Sequence, residues 1–121
     1  MTPRLMGDPA IDPSVPPSGA GCVECLASAV GWWFHLRRCA TCGHIGCCDT
    51  SPSQHATQHN AETGHPIICS FEPGEVWFWD YRTEQIGRGP ALAPPQSRPD
   101  DQEPPAPADR VSDNWADLLH G

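Results

Sequence analysis

The chain has 121 residues and a net charge of −8, with 15 prolines, seven cysteines and 38% hydrophobic residues. That length allows one domain, and the hydrophobic share lies below the ~45–50% of ordinary globular domains, so apolar packing alone gives a thin core that needs staples. All seven basic residues are arginines and none forms a run, which leaves no phosphate-neutralising footprint and excludes a nucleic-acid partner.

Residues 1–20 hold five prolines and read as a disordered N-terminal tail. The folded unit spans residues 21–86, where all the cysteines and five of the six histidines lie. Within it, Trp33 to Arg37 alternates loosely and reads as a strand, and Thr41 to Ile45, around Gly43, reads as a turn. One main helix is expected over about 52–63. Ser51 would be its N-cap, with Pro52 at its first position and Gln54 closing a capping box, and Gly64 would sit at its left-handed end. Pro66 to Phe71 reads as a buried strand and Val76 to Tyr81 as an aromatic one. The turn Glu72-Pro73-Gly74-Glu75 joins them into a hairpin. Residues 87–108 form a proline-rich linker, expected to be disordered. Residues 109–121 form a short amphipathic helix or tail, with Val111, Trp115, Leu118 and Leu119 on one face. The expected class is α+β: a small, metal-braced antiparallel sheet packed with one main helix and carrying disordered proline-rich flanks.

Cys22-x-x-Cys25 and Cys39-x-x-Cys42 are two metal knuckles, and Cys47, His55, His59 and His65 follow them. A Cys-x-x-Cys turn aims two thiolates at one cation, and zinc takes four such ligands in a tetrahedron. Eight candidates fill two closed zinc sites, and thiolate favours zinc over magnesium or calcium. Spacing alone leaves the pairing open. His55 and His59 are four apart on one helix face and could also clamp a single metal together. No apolar run reaches the ~18 residues of a membrane span, and the N-terminus lacks the apolar stretch of a signal peptide. The chain is therefore expected in the cytoplasm without membrane insertion, where thiols stay reduced and free to bind metal.

Cys-x-x-Cys, then Cys-x-x-Cys-x4-Cys, then His-x3-His-x5-His-Pro, resembles the UBP-type zinc finger, known from ubiquitin-specific proteases and a cytoplasmic histone deacetylase. Gln54-His55-Ala56 and Thr63-Gly64-His65-Pro66 are especially similar to that family's helix and following turn. The resemblance covers about residues 22–82 and implies an interleaved pairing. Cys22, Cys25, Cys47 and His55 would hold one zinc; Cys39, Cys42, His59 and His65 would hold the other. Five thiolates and two dications then move the net charge from −8 to about −9. The resemblance also places pocket aromatics near Trp77 and Trp79. In ubiquitin-binding members, glycine and a carboxylate-binding arginine follow the cysteine that matches Cys47. Cys48 and Asp49 stand there in this chain, so Arg37 and Arg38 become the candidates for a displaced carboxylate contact. The lack of lysine, with abundant proline, alanine and arginine, points to a bacterial member.

Trp77, Trp79 and Tyr81 alternate with Val76, Phe78 and Asp80, so one set is core and the other is free to line a peptide pocket. Cys48 and Cys69 fall outside the ligand sets and read as packing residues. His35 and His44 read as surface positions or spare ligands. Three functions follow. The first is a non-catalytic, zinc-braced module for a protein or peptide partner. The second is a reader of the free C-terminal tail of ubiquitin or a similar modifier, opposed by Asp49. The third is a thiol redox or metal enzyme, opposed by the absence of an open zinc position. The oligomeric state is not legible.

Overall fold

The computed structural model describes residues 7–28 and 31–111. In chain order the elements are helix α1 (Val23–Ala27), strands β1 (Leu36–Cys39) and β2 (Ile45–Cys47), helix α2 (His55–Thr63), and strands β3 (Ile67–Ser70), β4 (Phe78–Asp80) and β5 (Gln85–Gly87). A 3₁₀ turn at Ala108–Arg110 follows. The five strands form one antiparallel sheet in the order β2-β1-β3-β4-β5.

The expected hairpin is present. Ile67 pairs with Asp80, Ile68 with Trp79 and Cys69 with Phe78. The Ile67 and Phe78 side chains are buried, which is why this apolar run pairs as a central strand. The first strand lies further on than Trp33–Arg37 suggested. Trp33 and Phe34 are buried ahead of it, and Leu36–Cys39 carries the ladder.

The main helix ends as its sequence implies. Gly64 adopts φ 75° and its N–H donates to Asn60 O at 2.8 Å, a geometry that costs glycine nothing. Its start differs. The helix begins at His55 with Gln54 at the N-cap in a left-handed conformation (φ 52°), and the capping box does not form. Ser51 is buried, and its hydroxyl accepts a hydrogen bond from the Phe34 N–H at 2.9 Å. A tertiary donor has claimed the oxygen that would have capped the helix.

The proline-rich flanks also differ from expectation. Within the described residues both lie along the sheet. Ile11 and Leu92 are buried with Ala40, Ile67, Cys69 and Phe78. Ala106 is buried with Trp33, and the two exchange backbone hydrogen bonds at 2.8 and 2.9 Å. Proline-rich chain offers carbonyls and few N–H donors, so it needs donors from elsewhere. Arg38 supplies them, donating to Val15 O, Ala93 O and Pro95 O. Arg82 joins Asp8 to Asp80, and Arg98 joins the downstream flank to Glu72. The amphipathic run of residues 112–121 lies outside the described residues.

Candidate metal centres and aromatic cleft

Each knuckle is made by local backbone. Cys22 is the N-cap of α1 and Cys25 lies in its first turn, so one helical turn brings the two sulfurs together. Cys39 ends β1. Its N–H donates to His44 O, and Gly43 N–H donates back to Cys39 O, which folds Cys42 over the strand end. Cys47 ends β2. His55 and His59 stand one turn apart on α2, and His65 follows its cap, where Asn60 Nδ2 holds the His65 carbonyl at 2.7 Å.

The structure draws these residues into two clusters, Cys22, Cys25, Cys47 and His55, and Cys39, Cys42, His59 and His65. In each, the ligand atoms all lie within 4.8 Å of one another. In the first, His55 Nδ1 is 3.2, 3.3 and 3.5 Å from the sulfurs of Cys22, Cys25 and Cys47, and the Cys25 and Cys47 sulfurs are 3.9 Å apart. A tetrahedral zinc with Zn–S near 2.3 Å has S–S edges of about 3.8 Å and slightly shorter S–N edges. The donor set therefore fits zinc in number, type and spacing. None of the seven cysteines forms a disulfide. In the second cluster Cys39 Sγ is 3.5 Å from His65 Nδ1, and Cys42 Sγ is 3.3 Å from His59 Nε2.

Protonation agrees with that fit. Contacts with Cys22 and Cys47 push the Cys25 thiol up, while contacts with Cys22 and Cys25 pull the Cys47 thiol down, so the trio alone favours one thiolate. Three thiolates together require a cation among them. Burial first, then His44 and His65, lower His59 to about 4, which keeps its imidazole neutral and able to ligate. The His44 ring stacks on His59 at 4.0 Å, and Glu24 holds His44 Nε2 at 2.7 Å.

Beside α2 the sheet carries a cleft of about 260 Å³. Trp77, Trp79, Tyr81, Ile86, Ile68 and Arg37 are among its lining residues, with Asp49 and Cys48. Trp77, Trp79 and Tyr81 are half-buried, and Ile86 is 53% exposed. The Arg37 guanidinium lies over the Trp77 ring, 4.7 Å from its centroid.

The family model described as "Zn-finger in ubiquitin-hydrolases and other protein" matches residues 22–86. The chain belongs to this zf-UBP family. The solution NMR structure of protein RPA1320 from Rhodopseudomonas palustris is similar to it, at 46% identity and a TM-score of 0.58, over 76% of this chain and 85% of that one. No curated protein sequence matches it.

The zf-UBP chain gathers the sequence-derived ligands into the same two sets that the resemblance implied. Of the peptide-binding candidates, Trp77, Trp79 and Arg37 share the cleft. Arg38 does not: it is 2% exposed on the opposite face, and its guanidinium is committed to the flank carbonyls. Phe78 and Asp80 are buried as the alternation required, but Val76 is 86% exposed because it precedes β4. Ile86 carried no sequence signal of its own, since its strand is three residues long and only the pairing with Trp79 brings it to the cleft. His35 and His44 lie outside both clusters, His35 on Glu72 and His44 on Glu24. Cys69 is buried, which raises its thiol to about 12. Cys48 contacts the Thr50 and Ser51 hydroxyls. Among the described residues no helix is long and apolar enough to cross a membrane.

Proposed function

We propose that the finger is a non-catalytic protein-interaction module whose two zinc ions are structural and whose aromatic cleft takes an extended peptide. The cleft carries this reading. Three half-buried aromatic side chains and an exposed isoleucine on one small surface are what an interface anchor needs, and an isolated soluble domain gains little by exposing them. The non-catalytic part rests on the ligand count. Four protein donors per cluster fill a tetrahedron and leave no position for a reacting water. A reducing compartment such as the cytoplasm suits seven cysteines with no disulfide among them.

Arg37 favours a second reading, capture of a free C-terminal tail of ubiquitin or a similar modifier. It is a half-buried guanidinium in the cleft, where a terminal carboxylate could meet it. One NMR titration separates the two. Zinc-loaded protein is titrated with ubiquitin and with ubiquitin lacking its last two glycines. Shifts of the Trp77 and Trp79 indole signals that require the glycines support tail capture. Shifts with both forms support a peptide module of broader choice. Binding that survives complete zinc removal would sink the module reading.

A further inference from the structure

The cleft carries opposite charges at its two ends. At one, the Arg37 guanidinium lies on Trp77 and its Nη1 donates to Leu36 O at 3.1 Å. At the other, the exposed carboxylate of Asp49 accepts a hydrogen bond from the Thr57 hydroxyl at 2.5 Å, and that hydroxyl is 3.2 Å from the Tyr81 hydroxyl. Trp77 and Tyr81 are four residues apart on extended chain, about 13 Å. The Tyr81 phenol is raised mainly by burial; the Asp49 charge raises it further and Arg37 opposes it, so the phenol feels both charges. Thr57 fixes Oδ1 of Asp49. The second oxygen, Oδ2, has no hydrogen-bond or ion-pair partner among the described residues.

We infer that the Tyr81 end of the cleft takes a basic side chain, arginine or lysine, of a bound peptide, held over Trp79 and Tyr81 with Asp49 as its counter-ion. This rests on the peptide-module reading and names the chemistry of its partner. A cation gains from lying on a tryptophan face, more so when partly desolvated, and Arg37 on Trp77 is that same contact made within the chain. The cleft is about 260 Å³, just below the ~300 Å³ at which drug-sized pockets begin, so it suits one long side chain. The chain's net charge of −8 draws basic peptides toward it. Arg37 is the one opposing charge lining the cleft, and its contacts hold it at the far end.

The test is an NMR titration of the zinc-loaded full chain with three short probes, read at Trp79 and Tyr81. The probes are acetyl-Gly-Arg-Gly-amide, acetyl-Gly-Glu-Gly-amide, and acetyl-Gly-Gly with a free carboxylate. The arginine probe is expected to bind saturably and the glutamate probe not. Asp49→Asn, which keeps an acceptor for Thr57, should weaken the arginine probe about tenfold, while Asp49→Glu restores it. Arg37→Gln should tighten the arginine probe and loosen the free-carboxylate one. An arginine probe that fails, or that binds Asp49→Asn unchanged, overturns the inference. Binding of the free-carboxylate probe alone also overturns it, yet leaves the peptide-module reading standing. That reading fails separately, if binding survives complete zinc removal.

Discussion

Arg38 is the residue on which both flanks depend. It is buried, and its guanidinium donates to Val15 O and Ala93 O at 2.8 Å and to Pro95 O at 3.2 Å. Arg38→Met keeps the stem's packing and removes every one of these donors. Leaving the carbonyls unpaired should cost about 2–4 kcal/mol, read as a lower urea midpoint of the zinc-loaded protein. Unchanged stability would mean that the flanks do not rest on the sheet in solution. Glu72 works in a similar way from the other side of the chain. Burial pushes its carboxyl up, but His35, Arg98 and the Leu36 N–H outweigh that and hold it below the usual 4.5. In turn Glu72 raises His35 above the usual 6.5. The lowered Glu72 contributes stability that is present above 4.5 and lost as pH falls through its folded value. The raised His35 contributes stability that is present below 6.5 and lost as pH rises through its folded value. Unfolding midpoints at pH 6 and pH 8 should therefore fall with pH in the wild type and stay level in His35→Gln. An equal fall in both would place the titration elsewhere.

Among the elements, β2 and α2 decide whether both clusters close. Gly46 lies in β2 directly beneath α2, where an added Cβ would be 2.7 Å from Ala56 N and 2.9 Å from Ala56 Cα. Those are backbone atoms next to His55, so the helix must move. Gly46→Ala should cost about 1–3 kcal/mol and weaken zinc at both clusters, because α2 carries one histidine of each cluster, His55 and His59. Zinc competition against a colorimetric chelator would show it, and loss at the His55 cluster alone would contradict it. The sequence makes some of these elements plain and hides others, for physical reasons. Ile67 to Asp80 is legible because alternation and a Pro-Gly turn are local signals. α1, β2 and β5 are five, three and three residues long, too short for any period to register. Ser51 reads as a cap because nothing local reveals that Phe34 takes its hydroxyl. The ligands are legible by type and spacing, since each knuckle is local. Their pairing, which joins Cys22 to His55 across 33 residues, came from the family resemblance and not from spacing. The order of the flanks is not legible because proline content speaks only of missing N–H donors, and the donors to the flank carbonyls sit far away in sequence on Arg38.

Over the whole molecule, zinc ligation takes the place of a large apolar core. The first cluster ties α1 to β2 and α2; the second ties the β1–β2 turn to α2 and the segment before β3. Each ion thus joins segments distant in sequence, and binding at such sites is folding free energy of about 10 kcal/mol or more. The aromatic cleft lies between α2 and the sheet that these ions hold together, so partner binding and metal content should rise and fall together. The most direct test is ¹¹³Cd NMR of the cadmium-substituted protein, with metal-to-proton correlations to the ligand side chains. Two cadmium resonances are expected. One should couple to Cys22, Cys25, Cys47 and His55, as a three-sulfur, one-nitrogen site. The other should couple to Cys39, Cys42, His59 and His65, as a two-sulfur, two-nitrogen site. A single resonance, or one metal coupled to both His55 and His59, would contradict the interleaved architecture.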